Sequence, residues 1–151
     1  MSAEVVFSRL TRVAKLIESL IGESATSLDA AIYRFNNPEI AQVLGEAARR
    51  GVRLRLILDG IKYQADPVTR RLCIDYQLPF RLSHGVRGPS SKMHHKFAIL
   101  DSQVVLTGSY NWTAESEEEN YENLLIVREP VQVQKYQEEF EALWKEAARN
   151  T

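Results

Sequence analysis

The 151-residue chain has one cysteine, Cys73, so no intrachain disulfide can brace it and no cysteine cluster can hold a metal. That count fits a reducing interior, with Cys73 read as a small buried hydrophobe on a helix. No apolar run approaches the ~20 residues that a membrane-spanning helix needs. Residues 1–7 lack the basic segment, apolar core and small-residue cleavage site of a secretory signal. The expected location is therefore cytoplasmic. Charge of one sign is not in excess either: 19 Lys and Arg against 20 Asp and Glu leave a net charge of −1. This excludes a histone-like binder that works by bulk electrostatics. Repeats, long linkers and low-complexity blocks are also missing. What remains is an ordinary globular composition, 44% hydrophobic and 26% charged, in a length that makes one domain, residues 1–151, with a real core.

Leu10, Val13, Ala14, Ile17, Leu20 and Ile21 recur at helical spacing, with Ser8 placed to cap the helix. Residues 28–35 read as a buried strand. Asn36-Asn37-Pro38 opens a helix over 38–50, with Ile40, Val43, Leu44 and Ala47 on one face and Gly51 past its end. Residues 52–59 read as a second strand, and strand, helix, strand with short connections predicts a parallel pair. A helix over 67–77, a short strand at 80–82 and a flexible connector at 83–91 follow. After these come a motif strand, a turn at 101–103, a partner strand at 104–107 and a strand at 123–127. A last helix over 130–148 turns Val133, Tyr136, Phe140, Leu143 and Trp144 inward. The expected class is α/β: a mixed, largely parallel sheet flanked by helices.

The chemistry is concentrated in His94-His95-Lys96-Phe97-Ala98-Ile99-Leu100-Asp101, followed by Gly108-Ser109-Tyr110-Asn111. The pattern H-x-K-x4-D-x6-G-S-x-N should arise by accident on the order of once in a million chains of this size, so it requires an explanation. On a strand, residues two apart face the same way. His94 and Lys96 then project together, while His95 and Phe97 face the other side. Asp101 falls where the strand ends, and the Gly108-Ser109 step allows a bend that returns Ser109 and Asn111 to the histidine. An imidazole, a fixed cation and two neutral hydrogen-bonding side chains suit phosphodiester chemistry without a metal. Lys96 and Asn111 are preplaced donors for charge gathering on the equatorial oxygens of a phosphoryl transition state. His94 is nucleophile or general acid, and it cannot be both at one instant. The second role falls to another histidine of the chain or to a second copy of it.

These residues resemble the signature of the phospholipase D superfamily. Met93-His94-His95-Lys96-Phe97 and Gly108-Ser109-x-Asn111-Trp112-Thr113 look like the Zucchini and mitochondrial phospholipase D branch and like small bacterial endonucleases. Val6-Phe7-Ser8, Arg50-Gly51-Val52 and Asn120-x-Glu122-Asn123 also match that branch, so the resemblance covers nearly the whole chain. It implies a homodimer with one shared site, in which His94 of one subunit forms a phosphohistidine and His94 of the other protonates the departing alcohol and then activates water. Lys96 and Asn111 would hold phosphate oxygens, and Ser109 would sit near the ring or the phosphate. Glu122 would accept from the far ring nitrogen of His94, and Asp101 would pair within the motif. No cofactor and no metal are implied. Two features depart from relatives in the animal mitochondrial branch: an N-terminal membrane segment and zinc-binding cysteines have no counterpart here.

The motif reads a phosphodiester and not what is attached to it. Nucleic acid is the expected substrate, and a groove between subunits, if narrow, would favour single strands. A phospholipid headgroup and a non-catalytic nucleic-acid-binding module are the alternatives. Recognition loops are expected at 62–66, 83–92 and 113–121. His84 and His95 read as structural, although the glycine-flanked loop of His84 precedes the site. Trp112 reads as packing, with base stacking as the alternative, and Tyr33 and Phe35 face the same choice. Arg70, Arg71, Arg81, Arg87 and Lys92 form either a basic surface or a solvated face. Glu115 to Glu119 read as solvated. Asp29, Asp59 and Asp101 are the carboxylates from which a two-metal site would be built, a reading that leaves His94, Lys96 and Asn111 unexplained.

Overall fold

The computed structural model describes residues 3–150. Strands β1 (Ala3–Phe7), β2 (Ser27–Ile32), β3 (Arg53–Asp59), β4 (Phe80–Ser83), β5 (Lys96–Leu100), β6 (Val104–Gly108) and β7 (Asn123–Val127) form one sheet in the order β1-β7-β6-β5-β2-β3-β4. The helices are α1 (Val13–Glu23), α2 (Pro38–Arg49), α3 (Gly60–Ala65), α4 (Pro67–Asp75), α5 (Ala114–Glu118) and α6 (Pro130–Ala147). The mixed sheet with flanking helices is as expected. The expectation that it is largely parallel is not met: β2 pairs with β3 and β3 with β4 in parallel, and the other four pairings are antiparallel. Helical crossovers through α2 and through α3 and α4 return the chain parallel, and the tight turn after Leu100 makes β5 and β6 a hairpin.

Alternation along the strands divides the core. Leu28, Ala30 and Ile32 of β2 and Leu54, Leu56 and Leu58 of β3 face α1, α2 and α4. Ala31, Ile57, Phe97, Ile99 and Val105 face α6, which supplies Val133 and Phe140. Each large apolar side chain buried this way contributes roughly 1.5–3 kcal/mol. Cys73 is buried, and burial pushes its thiol up to about 12, so it is inert.

Several boundaries differ from the sequence reading. β1 is an exposed edge strand whose weak alternation gave no signal. Ser8 does not cap α1; it bonds Asn120 and Glu122, and the N-terminal Ala14 N–H donates to Glu117 Oε1 at 2.9 Å instead. Glu117 also accepts from Tyr110, so this member of the glutamate cluster is structural and not merely solvated. Helices α3 and α5 are too short to show a period. Arg70 donates to the backbone carbonyls of Tyr63 and Gln64 and Arg81 to that of Trp144, which ties both guanidinium groups to the fold.

Candidate active site

The topology explains why distant residues meet. β2 and β3 run parallel, and β5 runs against β2, so the start of β5 lies at the end of β2, with Ile32 beside Lys96. Continuing outward, β6 ends and β7 begins at the same edge, where Gly108 pairs with Leu124. This edge lies beyond the carboxyl ends of the parallel strands, where α/β sheets place ligands. Asp101 is at the other end of β5.

His94 is not in the strand; it stands two residues before it and is solvent-exposed. Its backbone is held from both sides. The Tyr33 N–H donates to the His95 carbonyl at 2.8 Å, and the Met93 N–H donates to Asp59 Oδ1 at 2.9 Å. The expectation that His94 and Lys96 project together holds: Lys96 Nζ is 3.2 Å from His94 Nδ1 and donates to the His94 carbonyl at 2.9 Å. An ammonium has no lone pair, so in this contact Nδ1 is the acceptor. Burial, then Lys96 and Lys92, hold the imidazole below the ordinary histidine value, with Asp59 opposing. Burial also lowers Lys96, against the charge of Glu122. The Tyr33 ring packs on His94, centroids 4.4 Å apart.

Gly108 is required by close approach: a Cβ there would lie 2.4 Å from the Asn123 carbonyl oxygen. That approach lets Ser109 bond across to β7. Ser109 Oγ donates to Glu122 Oε1 at 2.5 Å and accepts from the Asn123 N–H at 3.1 Å. Glu122 Oε2 accepts from Asn120 Nδ2 at 3.0 Å. Within one chain Glu122 thus bonds Ser109 and Asn120, and not the ring of His94 as the resemblance implied. Asn111 accepts the Arg34 N–H at 3.1 Å through Oδ1, which turns its amide nitrogen away from that bond.

Asp101 does not pair within the motif. Its carboxylate accepts the N–H groups of Ala25, Thr26 and Ser27 and the Thr26 hydroxyl, which fixes the turn into β2 at the far edge. The two-metal alternative fails on the same geometry. Asp29 is buried and bonded by Arg53, Arg55 and Gln137, and Asp59 is buried between the N–H groups of Lys62 and Met93. Among the described residues no group of three or more His, Cys, Asp or Glu is placed to hold a metal ion.

Trp112 and Phe35 pack in the core, edge to face at 6.4 Å. His95 lies on the opposite side from Lys96, 3.8 Å from Glu139 and edge-on to Phe97. The His84 ring seats against Gly60, where a Cβ would come within 2.4 Å of it; its Nδ1 is buried with no hydrogen-bond partner among the described residues. Sequence reasoning undervalued Tyr33 and Asp59. The available signal was their position at the carboxyl ends of β2 and β3.

A family profile described as "Cardiolipin synthase, PLD-like domain" matches residues 17–144. The chain belongs to this phospholipase D-like family. Its relatives include mitochondrial cardiolipin hydrolases. The protein of Xenopus laevis is 40% identical over 136 residues, 87% of this chain and 60% of its own. The human one is 32% identical over 138 residues, 89% of this chain and 51% of its own. The chain therefore spans about half to 60% of the length of these relatives. Among solved structures, the phospholipase D family member Nuc from Salmonella typhimurium superimposes with a TM-score of 0.84 at 25% identity, covering 95% of this chain and 94% of that one. NucT from Helicobacter pylori shares the fold, with a TM-score of 0.81 at 23% identity over 95% of this chain and 96% of that one. The family members resembled on sequence grounds and those found by comparison are thus of the same kinds. No described helix is long and apolar enough to cross a membrane.

Proposed function

We propose that the chain is a metal-independent phosphodiesterase, an endonuclease acting on DNA or RNA through a covalent phosphohistidine at a site shared by two copies. The observation that carries this reading is the contact between Lys96 and His94. The one lone pair of this neutral imidazole, on Nδ1, is engaged by the ammonium, and a shift of the ammonium onto a phosphate oxygen frees the ring to attack. The likeness to Nuc over nearly its whole length supports the same reading.

In the first step a ring nitrogen of His94 attacks phosphorus. The N–P bond forms as the P–O bond to the departing alcohol breaks, and that oxygen takes a proton from the imidazolium of His94 in the second copy. In the second step that imidazole, now neutral, takes a proton from water. The water oxygen attacks phosphorus, the N–P bond breaks, and His94 is restored. Lys96 and the amide of Asn111 hold the non-bridging oxygens. Glu122 acts through Ser109 and through the charge it presents to Lys96. Asp101 is a structural residue.

The second copy sits, in this reading, on the apolar face beside Glu122. Phe7 is half exposed and Tyr121 88% exposed, and with Ser8, Arg9, Glu122 and Asn123 they line an open cavity of about 490 Å³. A face that adjoins a site needing a second histidine is the natural one for a second copy.

A second reading, hydrolysis of a phospholipid headgroup, is favoured by the identity with the Xenopus laevis cardiolipin hydrolase. Cleavage of labelled single- and double-stranded DNA and RNA in excess EDTA decides between them, with His94→Asn protein prepared identically. Cleavage by the native protein alone supports the nuclease. Turnover of phospholipid vesicles without turnover of nucleic acid overturns it. Full activity in a strictly monomeric species would refute the shared site.

A further inference from the structure

Two ammonium groups share one aromatic ring at the edge of the site. Lys96 Nζ lies 5.3 Å, and Lys62 Nζ 5.6 Å, from the centre of the Tyr33 ring that packs on His94. A cation held on a ring keeps its charge and its donors. Lys96 directs its donors at His94. Lys62 is different: among the described residues no carboxylate lies within ion-pair distance of its Nζ. The two acids nearest in sequence are engaged elsewhere. Asp59 accepts the backbone N–H of Lys62 and that of Met93. Asp66 accepts from Asn36 Nδ2 at 3.2 Å and from the Val68 N–H at 2.9 Å. The bond from Asp59 also fixes the first turn of α3, so the Lys62 side chain leaves from a set point toward the ring.

The other way out of the site differs in charge. The cleft between the 84–92 loop and α6, about 840 Å³, sets Glu139 and Glu146 against Lys92 and Arg149. The charges lining that cleft cancel, whereas the hollow beside Lys62 sets Arg34 and Lys62 against Asp66 alone and stays positive. Electrostatics therefore directs the chain across Tyr33.

We propose that Lys62 binds the phosphate next to the one under attack, making the site selective for a polynucleotide over an isolated diester. This deepens the phosphodiesterase reading and rests on it. Lys62 is a specificity residue in this assignment, since it touches a phosphate whose bonds do not change.

The test compares a dinucleotide with one internal phosphate and the corresponding trinucleotide with two, using bis(p-nitrophenyl) phosphate to report the chemistry alone. In the native protein the second phosphate raises kcat/KM about tenfold, as a charge-assisted contact does. In Lys62→Gln that ratio falls to about one, whereas Lys62→Arg retains most of it, and Lys135→Gln on the exposed face of α6 keeps the native ratio. The dependence of trinucleotide kcat/KM on salt also flattens in Lys62→Gln, by about one phosphate's worth. A native ratio preserved in Lys62→Gln, or equal losses on both nucleotides, overturns the assignment. Turnover of bis(p-nitrophenyl) phosphate with vesicle cardiolipin preferred to either nucleotide overturns the substrate class. Failure of the native protein on every diester sinks the phosphodiesterase reading, and the Lys62 assignment with it.

Discussion

The ammonium of Lys96 stands 3.2 Å from Nδ1 of His94 while donating to the carbonyl of the same residue. Burial is the first cause holding this imidazole below its ordinary value, followed by Lys96 and Lys92. A lowered value means that His94 stays neutral to lower pH than a free histidine. The limb of the kcat/KM profile that needs neutral His94 therefore lies below about 6.5. Lys96→Met removes one of the cations, so the His94 titration followed by NMR moves upward, while turnover falls about a hundredfold for loss of an oxyanion donor. A native titration at or above the free histidine value contradicts this account.

Asp59 joins the end of β3 to the peptide that carries His94. Its Oδ1 accepts from Met93 and its Oδ2 from Lys62, each at 2.9 Å, with the carboxylate fully buried. Asp59→Ala leaves two N–H groups without their acceptor and costs about 2–3 kcal/mol of stability, measurable by denaturant unfolding. Its effect on His94 separates positioning from mere folding: removing the negative charge lowers the His94 titration further. An unchanged titration in folded Asp59→Ala would count against the positioning role.

Asp101 predicts the opposite pairing of effects. Asp101→Ala should cost about 1–2 kcal/mol, discounted for solvent exposure, and leave kcat near native because the residue lies at the far edge of the sheet. Burial works against the carboxylate's charge, but the N–H groups of Thr26, Ser27 and Ala25 and the Thr26 hydroxyl outweigh it and depress the folded value. The stabilisation is therefore present above the ordinary carboxylate value and is lost as pH falls through the depressed one. Acid unfolding of Asp101→Ala lacks that component. Loss of kcat out of proportion to stability would return Asp101 to the site.

Gly60 and His84 form a packing pair that a double-mutant cycle can read. A Cβ at residue 60 would lie 2.4 Å from His84 Cε1, so Gly60→Ala should destabilise by about 1–3 kcal/mol. Adding His84→Ala removes the obstacle and recovers part of that loss, a coupling of about 0.5 kcal/mol or more. Additive thermal shifts for the two substitutions would show that the ring does not hold this place in solution.

Local order along the chain is what the sequence alone determines. The periods of α1, α2 and α6, the strand character of β2 and β3, and the close spacing of His94 and Lys96 are properties of neighbouring residues, and all were legible. So was the phospholipase D-like character, which resides in a short stretch around residues 93–113 and a few outlying matches. Tertiary structure decided the rest because it depends on contacts between distant segments. Antiparallel entry of β5 against β2 brings Tyr33 onto His94 and sends Asp101 to the opposite edge, and no local pattern reports that direction. Glu122 stood out through the resemblance, yet its bond to Ser109 is set by the β6–β7 pairing and the close approach at Gly108. Asp59 and Lys62 gain their meaning from a strand end and a six-residue helix, elements too short to leave a period in the sequence.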